Sequence, residues 1–182
     1  MTTLLVLYHS QEFGNTAAMA EAIAQGAKAA GAEVTLVNTN EARMDIEAYR
    51  GFDAAAFGTP DYYSYIAGGL KMFLDDWYIA RKTNPQGLDG KPYGLFFTHG
   101  TGGRARGPFE ELFRRMGTQV GETVATSATR TRTRSVSQNS CIDKNIHEQG
   151  NRSYGKTGSH GEYWRYWIIV RQTRTYRMET RT

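Results

Sequence analysis

The chain has 182 residues, 40% of them hydrophobic and 22% charged, which suits a single domain with a substantial core. No apolar run approaches the ~20 residues of a membrane span. Its one cysteine, Cys141, excludes an internal disulfide framework and fits a reducing, cytoplasmic setting.

The formal charge of +4 is unevenly placed. Residues 1–125 carry 11 Lys/Arg against 14 Asp/Glu, and residues 126–182 carry 11 against 4. The two stretches are therefore read separately. The opening residues, Met1 to Tyr8, lack a basic segment and hold only a strand's length of apolar residues, so neither a signal peptide nor an anchor is expected. Leu4–Tyr8 reads as a strand buried on both faces. A helix follows over Thr16–Ala30, with Ala18, Ala22 and Ala29 beside Met19, Ile23 and Ala27 on its apolar stripe, and Gly31 as its stop. Val34–Val37 is a second strand, Met44–Tyr49 a short helix, and Ala54–Gly58 a third strand. Ile66–Tyr78 is helical, with Leu70, Phe73, Leu74 and Trp77 on one face. Gly94–Thr98 is a fourth strand, Phe109–Met116 a helix, and Thr118–Ala125 a fifth strand.

Strands that alternate with helices pair in parallel through crossovers. The expected fold is α/β, an open parallel sheet of five strands with helices on both faces. Ligands of such sheets bind at the carboxyl ends of the strands, so the segments after strands one, three and four carry the functional expectation.

The first segment is Ser10-Gln11-Glu12-Phe13-Gly14-Asn15-Thr16, which runs into the first helix. Ser10, Asn15 and Thr16 offer side-chain donors, and Gly14 permits close backbone approach. Amides at a helix start can cradle an anion, most simply a phosphate monoester. With no Lys or Arg in the loop, the grip would come from oriented dipoles. The alternative is a turn that merely caps the helix. The second segment, Gly58 to Lys71, contains Pro60-Asp61-Tyr62-Tyr63-Ser64-Tyr65. Three tyrosines at a strand end suit stacking on a planar ligand; a packing or dimer contact is the alternative. The third, Thr98-His99-Gly100-Thr101-Gly102-Gly103-Arg104-Ala105-Arg106-Gly107, offers amides and hydroxyls to the edge of a flat ring, or is simply a flexible loop.

In this order and at these strand ends, SQEFGNT, GTPDYY and THGTGG resemble the loops of the flavodoxin-like FMN-binding proteins. The similarity covers roughly residues 3–125 and is greatest to NAD(P)H:quinone oxidoreductases of the tryptophan-repressor-binding-protein type. It implies the strand order 2-1-3-4-5 and FMN as cofactor. By that resemblance Ser10, Gly14, Asn15 and Thr16 match the phosphate loop, with Phe13 beside them. Pro60, Asp61, Tyr62 and Tyr63 match one flank of the isoalloxazine, and Thr98, His99, Gly100, Thr101, Gly102 and Gly103 the other. Many relatives have two residues between the serine and the glycine, where this chain has Gln11, Glu12 and Phe13.

Two functions follow from the resemblance. One is an oxidoreductase passing electrons from NAD(P)H through FMN to a quinone or similar acceptor. The other is a carrier moving electrons between redox partner proteins. Arg104 and Arg106 suit an anionic cosubstrate, or are merely solvated. His99 is the candidate for proton delivery or flavin contact, and His9 is read as a strand-end residue without chemistry. Cys141, His147 and His160 lack zinc spacing, so no metal is expected.

After Ala125 the pattern ends. Such a sheet needs a final helix, which is missing here, and the basic run Thr126 to Ser135 stands in its place. Residues 126–182 read as a basic tail of low order, with Trp164–Val170 as its one apolar stretch. A flexible extension and an arm for nucleic acid are alternatives; the favoured reading is a shifted reading frame. With suitable synonymous codons and a two-base displacement, Ser127 to Asp143 becomes RNANENAVSVAKLVHR, whose apolar residues share one helical face. An uncovered sheet face would also favour homo-oligomers.

Overall fold

The structure is a computed structural model and describes residues 1–100 and 102–127. The expectations for the missing helix, for the basic segment and its reading frame beyond Ser127, and for Thr101 lie outside the described residues; Thr126 and Ser127, expected in the low-order tail, instead close the last strand of the sheet.

Within them the chain runs β1 (Thr3–Tyr8), α1 (Asn15–Ala29), β2 (Glu33–Asn38), α2 (Ile46–Tyr49), β3 (Ala54–Pro60), α3 (Gly68–Thr83), β4 (Lys91–His99), α4 (Arg106–Phe113), β5 (Gly117–Gln119) and β6 (Val124–Ser127). The strands pair in the order β2-β1-β3-β4-β5, with β6 also on β4, and every pairing is parallel. This is the expected order 2-1-3-4-5.

Side chains alternate across the sheet, and the two cores follow from that alternation. Leu4, Val6, Ala54, Ala56 and Phe96 cluster with Met19, Ala20, Ile23 and Ala27 of α1. Leu5, Leu7, Ala55, Phe57, Leu95 and Phe97 cluster instead with Tyr49, Leu70, Phe73, Trp77, Phe109 and Phe113 from α2, α3 and α4. Trp77 is buried without an orphaned donor, because its Nε1–H donates to the Leu88 carbonyl at 3.1 Å. The stripe Leu70, Phe73, Leu74 and Trp77 lies in the core as expected.

Five elements differ markedly from the sequence reading. β4 begins at Lys91, three residues before the expected Gly94. The face of α1 is rotated: Thr16, Ala20 and Ala24 are buried beside Met19, Ile23 and Ala27, while Ala18 and Ala29 are exposed. α3 begins at Gly68 and extends five residues past Tyr78. α4 starts and ends three residues early. The fifth strand is split, because Lys91–Tyr93 pair with Gly117–Gln119 whereas Phe96–His99 pair with Val124–Ser127. Two extra residues on the outer chain make a bulge at 120–123, where Gly121 adopts φ +73°.

Candidate functional site

The carboxyl ends of β1, β3 and β4 lie side by side, and polar bonds between their loops fix the site. After β1, the Ser10 amide donates to Asn38 Oδ1 and Asn38 Nδ2 donates to the Ser10 carbonyl, both at 3.0 Å. Asn38, the last residue of β2, thus holds the first loop at two points. The neighbouring His9 is buried. Its amide donates to the Gly58 carbonyl at 2.9 Å, and its Nδ1 lies 3.0 Å from Thr39 Oγ1. Burial pushes the His9 imidazole below its ordinary value, against a smaller upward pull from Gln11.

Gly14 precedes α1 in the left-handed region, φ +70°, which glycine adopts without penalty. The first helical bond runs from the Ala18 amide to the Gly14 carbonyl. No side chain caps this helix and its first turn holds no acidic residue. The amides of Asn15, Thr16 and Ala17 therefore lack intrahelical acceptors at the positive end of a helix dipole. Phe13 stands 67% exposed beside them. Thr16 is buried, and its hydroxyl shares a 2.8 Å hydrogen bond with that of Thr98. The expected free donor is thus engaged in joining the first loop to the end of β4.

β3 runs through Pro60, which pairs with Thr98. The next amide, Asp61, donates to the Thr98 carbonyl at 2.7 Å, and Asp61 Oδ2 accepts from the Ala105 amide at 3.1 Å. One carboxylate so ties the second loop to the third. Tyr62 and Tyr65 exchange backbone bonds of 3.1 and 3.0 Å around a turn in which Tyr63 has φ 52° and Ser64 φ 65°. Left-handed backbone in a non-glycine residue costs about 1–2 kcal/mol, so this turn holds strain. The three tyrosines differ in exposure. Tyr62 is half-buried, with its ring edge-on to His9 at 6.0 Å, whereas Tyr63 is fully exposed and Tyr65 partly so. Burial, and secondarily the charge of Glu12, pushes the Tyr62 phenol up.

In the third loop Thr98 is buried and His99 half-buried. The His99 ring lies 5.6 Å from that of Phe97 and passes under Gly103, where an added Cβ would meet Cδ2 at 3.3 Å and Nε2 at 3.4 Å. Gly102 and Gly103 both have positive φ, +82° and +58°. The Nδ1 of His99 is buried without a hydrogen-bond partner among the described residues. Arg106 belongs to α4 and pairs with Glu110 at 2.9 Å. Arg104 is exposed and makes no ion pair among the described residues.

The residues missed in the sequence are the supports, namely Asn38, Thr39, Gly69 and the Ala105 amide. A Cβ on Gly69 would collide with the Thr39 hydroxyl and come within 3.1 Å of His9 Nδ1. Two polar residues closing an apolar strand, Asn38-Thr39, were the available signal. Among the described residues no group of three or more His, Cys, Asp or Glu is placed to hold a metal ion; Cys141, His147 and His160 lie outside them. No helix among them is long and apolar enough to cross a membrane.

The arrangement is a parallel α/β sheet with an uncapped helix start, aromatic side chains and glycine-rich backbone at its carboxyl edge, where ligands of such sheets bind. The family model described as flavodoxin matches residues 6–148, beyond the last residue that the strand-and-helix pattern accounts for. The chain belongs to the flavodoxin family. An archaeal flavodoxin structure aligns over 95% of this chain and 99% of its own, with a TM-score of 0.63 at 20% identity. Two-electron reduced Megasphaera elsdenii flavodoxin aligns over 66% of this chain and 85% of its own, with a TM-score of 0.55 at 27% identity. A Rhizobium meliloti protein named NAD(P)H dehydrogenase (quinone) 3 is 38% identical over 93 residues, 41% of this chain and 43% of that relative. The chain thus spans less than half the length of that curated relative.

The cofactor that membership brings is FMN. The residues present fit it. An uncapped helix start free of acidic residues suits a phosphate monoester, and the unpartnered nitrogen of His99 adds a polar group on the opposite loop.

Proposed function

We propose that this chain is an oxidoreductase that takes electrons from NAD(P)H and delivers them to a quinone-like acceptor. FMN supplies the ability to accept two electrons and release them. In this reading Ser10, Gly14, Asn15 and Thr16 hold its phosphate, chiefly through backbone amides. Asp61, Tyr62, Thr98, His99 and the glycines 100, 102 and 103 border its ring, with Thr101 completing that loop.

The observation that carries the enzyme reading is Arg104. It is an exposed cation on the third loop with no ion pair among the described residues, and it is chemically suited to the phosphates of a dinucleotide. Arg106, also read as a candidate in the sequence, pairs with Glu110 and is the weaker candidate. The relative named NAD(P)H dehydrogenase (quinone) 3 supports the same direction. A carrier that steers basic partners calls for a strongly acidic rim, and residues 1–125 hold only a small acidic excess.

The carrier remains the second reading because Phe13 and Tyr63 are strongly exposed on two site loops, as aromatic residues at protein contacts are. Stopped-flow mixing of the FMN-loaded chain with NADPH and NADH separates the two. Rapid bleaching of the flavin absorbance, and its return on adding a quinone, is the enzyme's outcome. No bleaching at millimolar nicotinamide leaves the carrier.

A further inference from the structure

We propose that the cleft between α4 and the strands β4 and β5 binds a ligand bearing an ammonium or guanidinium group. None of its lining residues is among the proposed flavin contacts, and the inference does not depend on the cofactor. Gly107, Glu110, Glu111 and Arg114, three or four residues apart on one face of α4, form one wall. Tyr93, Gly117 and Gln119 form the other, around a volume of about 360 Å³. β5 is the last strand in the sheet order, so the cleft lies at the sheet's edge. Its size is at the lower end for small-molecule sites.

The inner wall holds an unused polar group. Tyr93 is 2% exposed and its ring packs against Phe57 and Phe113. Its hydroxyl takes part in no hydrogen bond among the described residues, yet the side chain lines the cleft. Buried tyrosines ordinarily find a partner for that group. Across from it, the Thr123 hydroxyl at 2.6 Å and Arg106 Nε at 2.9 Å both donate to Glu110 Oε1. Oε2 of Glu110 is left without a partner among the described residues. Burial works to raise the Glu110 carboxyl, but those bonds and the Arg106 charge outweigh it and hold the group below its ordinary value. Glu110 is therefore a carboxylate at neutral pH. Burial, and then the charge of Glu110, pushes the Tyr93 phenol up to about 12, against a smaller downward pull from Arg114. At the rim, Arg114 Nη2 donates to Glu111 Oε1 at 2.8 Å, which leaves the other oxygen of Glu111 open. Gln119 spends its Nε2 on the Gly121 carbonyl and the Thr123 hydroxyl, so its carbonyl oxygen remains. Acceptors are thus left over on Glu110, Glu111, Gln119 and Tyr93, and donors only on Arg114 and Tyr93. Two carboxylates face one guanidinium. A cation with several N–H groups fits that surplus, and a carboxylate or phosphate does not.

Titration of the full chain with n-butylguanidinium and with n-pentylammonium, followed by amide chemical shifts, tests the site, with pentanoate as the anionic control. Both cations should move the Gly107, Gly117 and Gln119 amides with a Kd of about 1 mM, and pentanoate should not. Glu110→Gln should weaken binding about tenfold or more, and Tyr93→Phe about threefold. Tyr93→Phe should keep the wild-type urea midpoint, because its hydroxyl has no partner to lose. An acetylated and amidated tripeptide Val-Arg-Val separates two sources of such a cation. Binding about tenfold tighter than that of n-butylguanidinium supports a polypeptide strand laid along β5; equal binding supports a small free amine or guanidine. Equal shifts with pentanoate, or cation binding undiminished in both variants, overturn the assignment.

Discussion

Gly68 and Gly69 are neighbours at the start of α3, yet the structure assigns opposite consequences to the same substitution at each. An added Cβ on Gly68 meets nothing within 4 Å. Gly68→Ala therefore gains only from reduced freedom of the unfolded chain and better helix propensity, up to about 1 kcal/mol. On Gly69 the same carbon would collide with the Thr39 hydroxyl, reach Thr39 Cβ at 2.7 Å and approach His9 Nδ1 at 3.1 Å. Relieving that overlap costs about 1–3 kcal/mol, and weakening the His9–Thr39 bond costs about 1 more. After the propensity gain is subtracted, Gly69→Ala should destabilise by about 1–3 kcal/mol. At about 2–4 °C per kcal/mol for a chain of this size, its melting temperature falls by several degrees while that of Gly68→Ala holds or rises. Because His9 also meets the ring of Tyr62, Gly69→Ala should weaken FMN binding and Gly68→Ala should not. Thermal unfolding and FMN titration of both variants decide the matter. Equal behaviour of the two would refute the packing assigned to the start of α3.

Burial lowers the pKa of His9 in the folded chain from 6.5, so below that pH the unfolded chain takes up a proton that the folded chain resists. Stability should be level above pH 6.5 and decline as pH falls below it; the urea midpoint of His9→Gln should fall less on acidification than that of wild type. Asp61→Ala strands the Ala105 amide and should cost about 1–3 kcal/mol, with weaker FMN binding, while Asp61→Asn, which keeps an acceptor oxygen, should lose less in the same titrations. Arg104→Glu should raise KM for the nicotinamide donor about tenfold with kcat little changed, and steady-state kinetics at several salt concentrations should show a flatter salt response than wild type.

The sheet was legible because its strands are short apolar runs separated by helices, and the α3 stripe because large residues contrast with polar ones. α1 lacked that contrast. Alanines occupy positions 17, 18, 20, 22, 24, 27 and 29, which lie on every face of the helix, so their spacing could not choose between Ala18 and Ala20. β4 was read short because Lys91-Pro92 looks like a loop. Pro92 is tolerated because at that level β4 pairs only with β5, and its pairing with β3 begins at Tyr93. The bulge at 120–123 left no mark that distinguishes it from a continuous strand. Within the site, residue types marked the loops, but the bonds that hold them join residues 28, 44 and 82 positions apart. Sequence spacing carries no record of such pairings.

Those pairings explain how a phosphate loop without a cation can be effective. A dipolar grip depends on orientation more than a charge does, since amides that must first be aligned spend their attraction on lost freedom. Here the alignment is made in folding. Asn38 holds Ser10 at two points, Gly14 sets the entry into α1, and Thr16 is pinned by Thr98. The groups left strained or unsatisfied, Tyr63 and Ser64 and the nitrogen of His99, belong to the second and third loops. In the proposed reading, the phosphate side is thus finished and the ring side is not. Removing the phosphate by offering riboflavin in place of FMN should therefore cost most of the binding in wild type, and should cost a similar factor in His99→Leu, because the two contributions act on different loops.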